Sequence, residues 1–146
     1  MFCTVIGLVL ATAAALQRLL PLPENVVWGE GVCKTDIPVV KVTDGKIAPE
    51  GYRLKVSPKG IVIASSDAAG GFYPERTLDQ LKTKDGYLCC TIDDKPRFRY
   101  RGILIDECRH FIGKENVLRT IEAMSDYKLN VLHWHLVDDQ GWRLEI

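Results

Sequence analysis

The spacing of hydrophobic residues changes period several times along this chain, and each change predicts an element. Tyr52, Leu54 and Val56 alternate with Arg53, Lys55 and Ser57, the two-residue period of a strand with one buried face. After the turn Pro58-Lys59-Gly60 comes Ile61-Val-Ile-Ala64, which completes a β-hairpin. Upstream, Leu19-Leu-Pro-Leu-Pro23 reads as an extended lead-in, because proline biases the residue before it away from helix. Ile37 to Val42 is a short strand, and Pro38 places it at a strand start or a sheet edge. Ser65-Ser66-Asp67 supplies helix-capping side chains, and Ala68 to Leu81 then predicts a helix packing Phe72, Leu78 and Leu81 against the sheet. Pro74 removes a backbone donor within it, which predicts a kink or a late start. Tyr87 to Ile92 is a further strand, and the polar break Asp93-Asp94-Lys95-Pro96 marks a domain boundary.

The last third has a different rhythm. Two hydrophobic runs, Tyr100 to Asp106 and Leu129 to Leu136, each end abruptly in charged and imidazole side chains. Between them, Gly113 to Tyr127 carries Val117, Leu118, Ile121 and Met124 at helical spacing. This is how a β/α barrel builds its active-site face, at the carboxyl ends of its strands. Such a barrel needs eight units, and two are present. The expected architecture is a small α+β domain over residues 19–95 followed by the first two β/α units of an incomplete TIM barrel over 96–146.

Met1 to Leu16 are almost wholly apolar and contain Ala13-Ala14-Ala15, the small residues found before a signal-peptide cleavage site, so residues 1–18 read as a signal peptide. The run is shorter than the roughly 20 residues that span a bilayer, so the expectation is a secreted or periplasmic protein without a stable membrane span. Lys+Arg and Asp+Glu are both 19, so no net field attracts nucleic acid. Once the leader and Cys3 are removed, Cys33, Cys89, Cys90 and Cys108 remain. Their spacing matches no zinc motif, and buried free thiols are expected.

Arg109, His110, His133, His135, Asp138, Asp139 and Trp142 gather at the two strand ends. A guanidinium there can grip vicinal hydroxyls or an anion, or simply bridge Asp106 or Asp138. Asp138 and Asp139 can bind a metal, orient a histidine or cap a loop. His133 and His135 share one strand face, yet no third ligand accompanies them, and no metal is expected. Cys108 beside His110 is weak ground for a nucleophile. Trp134 and Trp142 serve either as core or as a wall on which a pyranose stacks, with Trp142 the better placed for stacking.

The strings Arg101-Gly-Ile-Leu-Ile-Asp-Glu-Cys-Arg-His-Phe111 and Lys128-Leu-Asn-Val-Leu-His-Trp-His-Leu-Val-Asp-Asp-Gln-Gly-Trp-Arg-Leu-Glu-Ile146 closely resemble the opening of the catalytic barrel of glycoside hydrolase family 20, the β-N-acetylhexosaminidases, in its bacterial form. Tyr52 to Leu81, with Asp67-Ala-Ala-Gly-Gly-Phe-Tyr73, is similar to the later half of the small domain that precedes that barrel. The resemblance implies that Arg109 binds outer hydroxyls of a terminal N-acetylhexosamine. It makes Asp138 a supporting member of the relay behind the catalytic acid, with His135 and Asp139 beside it and Trp142 on the substrate side. It further implies substrate-assisted hydrolysis with retention, in which a glutamate protonates the leaving oxygen and the substrate's acetamido group attacks the anomeric carbon. No cofactor is implied, and the substrates implied are N-acetylhexosaminide glycans or chito-oligosaccharides.

That family's catalytic Asp-Glu pair lies on a later strand than the second, and Glu145 lies outside its context. The interval from Val27 to Tyr52 is also too short for the family's usual strand-helix-strand, so the small domain is expected to be abridged. The sequence therefore reads as an N-terminal piece of a β-N-acetylhexosaminidase without its acid pair. A non-catalytic sugar-binding module and a related exo-glycosidase with the same leading domain are the alternatives.

Overall fold

The computed structural model describes residues 19–139 and 141–145, and the chain divides into two compact units after Arg97. The apolar leader predicted over 1–18 lies outside the described residues. Among those described, no helix is long and apolar enough to cross a membrane.

In the first unit, strands β1 (Asn25–Cys33), β2 (Val39–Thr43), β3 (Tyr52–Ser57), β4 (Gly60–Ser65), β5 (Lys82–Thr83) and β6 (Gly86–Asp94) form a sheet. Its order is β1-β6-β3-β4-β2, with β5 beside β6; β2 runs parallel to β4 and all other neighbours are antiparallel. The hairpin β3–β4 follows the alternation closely. Tyr52, Leu54 and Val56 are buried while Arg53 and Lys55 are exposed. Leu54 and Ile92 face each other across β3 and β6 and are both 0% exposed. Fully burying a side chain of this size stabilises by about 1.5–3 kcal/mol.

Helix α1 (Ala68–Leu81) lies over this core and buries Tyr73, Leu78 and Leu81. Its start is set by Asp67, whose Oδ1 accepts from the Gly70 N–H at 2.7 Å and whose Oδ2 accepts from the Glu50 N–H at 2.7 Å. One carboxylate thus caps the helix and anchors the preceding loop, and both bonds hold its pKa below the usual carboxylate value. The strong cap overrides the late start that Pro74 suggested, and the helix begins at Ala68 with the proline inside. Phe72 departs from expectation in a second way: it is 39% exposed, and its neighbour Tyr73 is buried instead. The Tyr73 hydroxyl donates to Glu50 Oε2 at 3.0 Å, a partner that phenylalanine lacks.

Strand β1 has no clean period, because Gly29, Glu30 and Gly31 interrupt it. The register with β6 shifts between Trp28 and Val32, the irregularity expected of a bulge, and Gly31 has φ 83°. Between β1 and β2 there is a turn and no helix, so the sheet is built here by strand-turn-strand. Gly86 is required by close approach: its φ is 137°, and a Cβ there would sit 2.2 Å from the Cys33 carbonyl oxygen. Asp93 and Asp94 of the polar break are the last residues of β6. All four described cysteines are free and buried. Burial pushes the thiols of Cys33, Cys89 and Cys90 up, Cys90 to about 12, so these three are poor nucleophiles.

The second unit is a parallel strand-helix-strand: β7 (Gly102–Asp106), helix α2 (Lys114–Asp126) and β8 (Val131–His135). Two short strands follow, β9 (Val137–Asp138) and β10 (Gly141–Trp142), paired antiparallel. Of the four apolar residues expected to cover the sheet, Val117 and Met124 are buried; Leu118 and Ile121 are 44% and 45% exposed. The helical stripe is wider than the two-stranded surface beneath it. Its outer half therefore has nothing to bury against among the described residues.

Candidate functional site

The polar residues of the second unit converge because β7 and β8 are parallel and in register. Gly102 is opposite Val131 and Asp106 is opposite His135, so both strands end at the same edge. Asp106 organises the chain just beyond β7. Its Oδ1 accepts from the backbone N–H groups of Cys108 and Arg109, both at 3.1 Å, and its Oδ2 pairs with the Arg109 guanidinium. The Arg109 bond holds the Asp106 carboxyl below its usual range, and the same pairing raises Arg109. Of the two readings of Arg109, the bridge to Asp106 is thus present, while the side chain stays 58% exposed.

Across the edge, His135 Nε2 lies 3.1 Å from Asp138 Oδ2. With a carboxylate as its partner, that nitrogen carries the proton. The Asp139 N–H donates to Asp138 Oδ1 at 2.9 Å, which holds the Asp138 carboxyl down, and the charges of His135 and Arg109 act in the same direction. Asp106, Arg109, His135 and Asp138 therefore form one charged cluster. Asp139 contributes its backbone rather than its carboxylate to it. Trp142, on β10, is 60% exposed, and His110 and His133 are exposed as well. Among the described residues, no group of three or more His, Cys, Asp and Glu side chains is placed to hold a metal ion.

Three residues of the site were not singled out by sequence reasoning as functional. Asp106 entered only as a bridge for Arg109; its signal is an aspartate followed at once by turn residues whose N–H groups it can accept. Glu107 is 0% exposed, with Oε2 accepting from the Ile112 N–H at 3.1 Å and Oε1 buried without a partner. Arg143 donates to the carbonyls of Glu107 and Cys108 at 3.1 and 3.0 Å. Glu107 acts locally, on a backbone N–H five residues on, whereas Arg143 reaches back 36 and 35 residues, a contact that no local pattern marks.

Fold and rim together define a class: an α+β sheet unit leading into a parallel strand-helix-strand unit that gathers its charged side chains at the strand ends. Comparison with known proteins gives that class a family. The profile of glycosyl hydrolase family 20, domain 2, matches residues 10–95, and that of the glycosyl hydrolase family 20 catalytic domain matches residues 98–146. The chain is 42% identical over 106 residues to the N,N'-diacetylchitobiase of Vibrio harveyi, covering 70% of this chain and 12% of that protein. It is 35% identical over 141 residues to a β-hexosaminidase of Akkermansia muciniphila, covering 93% of this chain and 29% of that one. Among solved structures, an exo-β-N-acetylglucosaminidase from Vibrio harveyi in complex with N-acetylglucosamine matches with a TM-score of 0.79 at 31% identity, over 90% of this chain and 27% of that one. This chain belongs to glycoside hydrolase family 20, and it spans less than a third of the length of these relatives.

Proposed function

We propose that this chain is the leading part of a β-N-acetylhexosaminidase, contributing one side of the sugar subsite. The single observation that carries the reading is the rim itself: Arg109 and Asp138 each stand three residues beyond the in-register ends of the parallel strands β7 and β8. In this reading β7, α2 and β8 are the opening of a (β/α)8 barrel, and the relatives' names supply N-acetylglucosamine-containing glycans or chito-oligosaccharides as substrates. Arg109, held at one side by Asp106, directs its remaining N–H donors to hydroxyls of a terminal N-acetylhexosamine. Asp138, oriented by His135 and by the Asp139 N–H, is the supporting carboxylate behind the acid. Trp142 offers an exposed aromatic face for the pyranose ring. The apolar leader supports export, to the periplasm or outside the cell.

The dipeptide Asp106-Glu107 does not serve as the family's catalytic pair. Asp106 is committed to Arg109, and Glu107 is sealed from solvent, so neither reaches a glycosidic oxygen. The chemistry of substrate-assisted hydrolysis thus needs an acid other than these two. Release of nitrophenol from an aryl N-acetylglucosaminide is expected to stay at background with this chain. Turnover above background that Arg109→Ala abolishes would sink the reading. Titration with N-acetylglucosamine, followed by tryptophan fluorescence, separates it from a dedicated sugar-binding module. Half a site buries little ligand surface and should not saturate, whereas a module should.

A further inference from the structure

The geometry points to Arg143 as the positioning residue for Arg109, a role resting on the sugar-subsite reading above. The segment after β7 is tied down from one side by its own acids. Asp106 accepts from the N–H groups of Cys108 and Arg109, and Glu107 accepts from that of Ile112. From the other side the end of β8 holds its backbone, with the Glu107 N–H donating to the His135 carbonyl at 2.9 Å, and Arg143 reaches it with its side chain. Its Nε donates to the Glu107 carbonyl at 3.1 Å, its Nη2 to the Cys108 carbonyl at 3.0 Å, and its guanidinium carbon lies 5.7 Å from the centre of the Phe111 ring. A planar guanidinium can span two successive carbonyls and stack on a ring at once; an ammonium cannot.

Arg143 directly follows β10, and β10 pairs with β9, where Gly141 is opposite Asp138. The guanidinium therefore bolts the segment bearing Arg109 to the hairpin bearing Asp138 and Trp142. Gly141 gives independent support. A Cβ there would come within 3.1 Å of the Cys108 carbonyl oxygen and 3.2 Å of the Arg143 guanidinium, so the clamp closes over a position that has no side chain. The Cys108 thiol adds a weaker bond to the Gly141 carbonyl at 3.4 Å. Arg143 itself touches no substrate in this scheme. It sets the spacing between the residues that do.

The test is side-chain and amide NMR on the full 146-residue chain. In the unaltered protein the Arg109 Nε–H and the Cys108 and Arg109 amides should exchange slowly. Arg143→Ala should speed that exchange by about tenfold or more, the scale of one or two lost hydrogen bonds, while the amides shared by β7 and β8 keep their unaltered rates as the folding control. Arg143→Lys keeps the charge and should recover only part of the protection. Gly141→Ala, which crowds the clamp without touching the arginine, should shift the same signals. Unchanged exchange in Arg143→Ala would overturn the proposal.

A second readout, saturation transfer from the chain to N-acetylglucosamine, does not require the site to fill. Loss of transfer in both Arg109→Ala and Arg143→Ala supports positioning. Loss in Arg109→Ala alone overturns it. No transfer from the unaltered chain would overturn the sugar-subsite reading, and the clamp then stands or falls on exchange.

Discussion

The two units handle the same kind of residue in opposite ways. In the first, twelve buried residues from the sheet, the helix α1 and the lead-in form one core, and Leu54, Leu81 and Ile92 are sealed completely. In the second, Leu104 is 57% exposed, Phe111 55% and Trp134 45%, although their hydrophobicity is no lower. The difference lies in how many layers cover a strand. β3 and β6 are interior to a sheet with a helix on one face, so their inward side chains meet neighbours in every direction. β7 and β8 pair only with each other, and the face opposite α2 is bare among the described residues. Besides Cys108, Val117 and Met124, the second unit buries two charged residues, Glu107 and Lys128, at 0% and 6%. The first unit is organised to be stable and the second to place charges.

The largest effect that sharpens this contrast comes from one substitution made in both units. Leu54→Ala should cost about 2–5 kcal/mol in urea unfolding, the range for a sealed leucine, and Leu104→Ala should stay within about 0.5 kcal/mol. Equal losses would mean that Leu104 is covered in solution and would break the comparison. Hydrogen exchange gives the next effect. Amides shared by β3 and β6 should exchange on the order of a hundredfold more slowly than those shared by β7 and β8, because fewer apolar contacts resist local opening there.

Asp67→Ala should cost about 1–2 kcal/mol in the first unit, since two N–H groups lose their acceptor. The sign of its pH dependence follows from its lowered pKa. A carboxyl held below its unfolded value contributes fully above about pH 4 and loses that contribution as pH falls through the lower, folded value. Acid melts of the unaltered protein and Asp67→Ala should therefore converge at low pH; a constant gap would show that Asp67 acts only through shape. The smallest effect is expected at the exposed pair Lys41–Glu75, where Lys41→Ala should change the same melt by at most about 1 kcal/mol.

Legibility tracked locality. The hairpin β3–β4 could be read because its partners are adjacent in sequence and the alternation is unbroken. β1 escaped because its partner β6 is distant, with Asn25 opposite Asp93, and because two glycines and a glutamate blur its period. The two-residue strands β9 and β10 are too short to carry a period at all. In α1 the periodic reading chose Phe72 over Tyr73, since spacing does not reveal that Glu50 waits for a hydroxyl. At the site, Arg109, His135 and Asp138 were visible as chemistry-bearing residues at strand ends. Their partners were less so: Asp106 entered only as a bridge, and Arg143 was not singled out at all.

By itself the sequence determined which segments are strands and helices wherever hydrophobic spacing is regular. It also placed the charged residues after β7 and β8, because such patterns follow from local backbone geometry. Only the tertiary structure decided that β2 lies parallel beside β4, that Tyr73 is buried rather than Phe72, and that Arg143 closes over Glu107 and Cys108. Those outcomes depend on hydrogen-bond partners and close approaches between residues far apart in the chain, and such contacts come into being only when the chain folds back on itself.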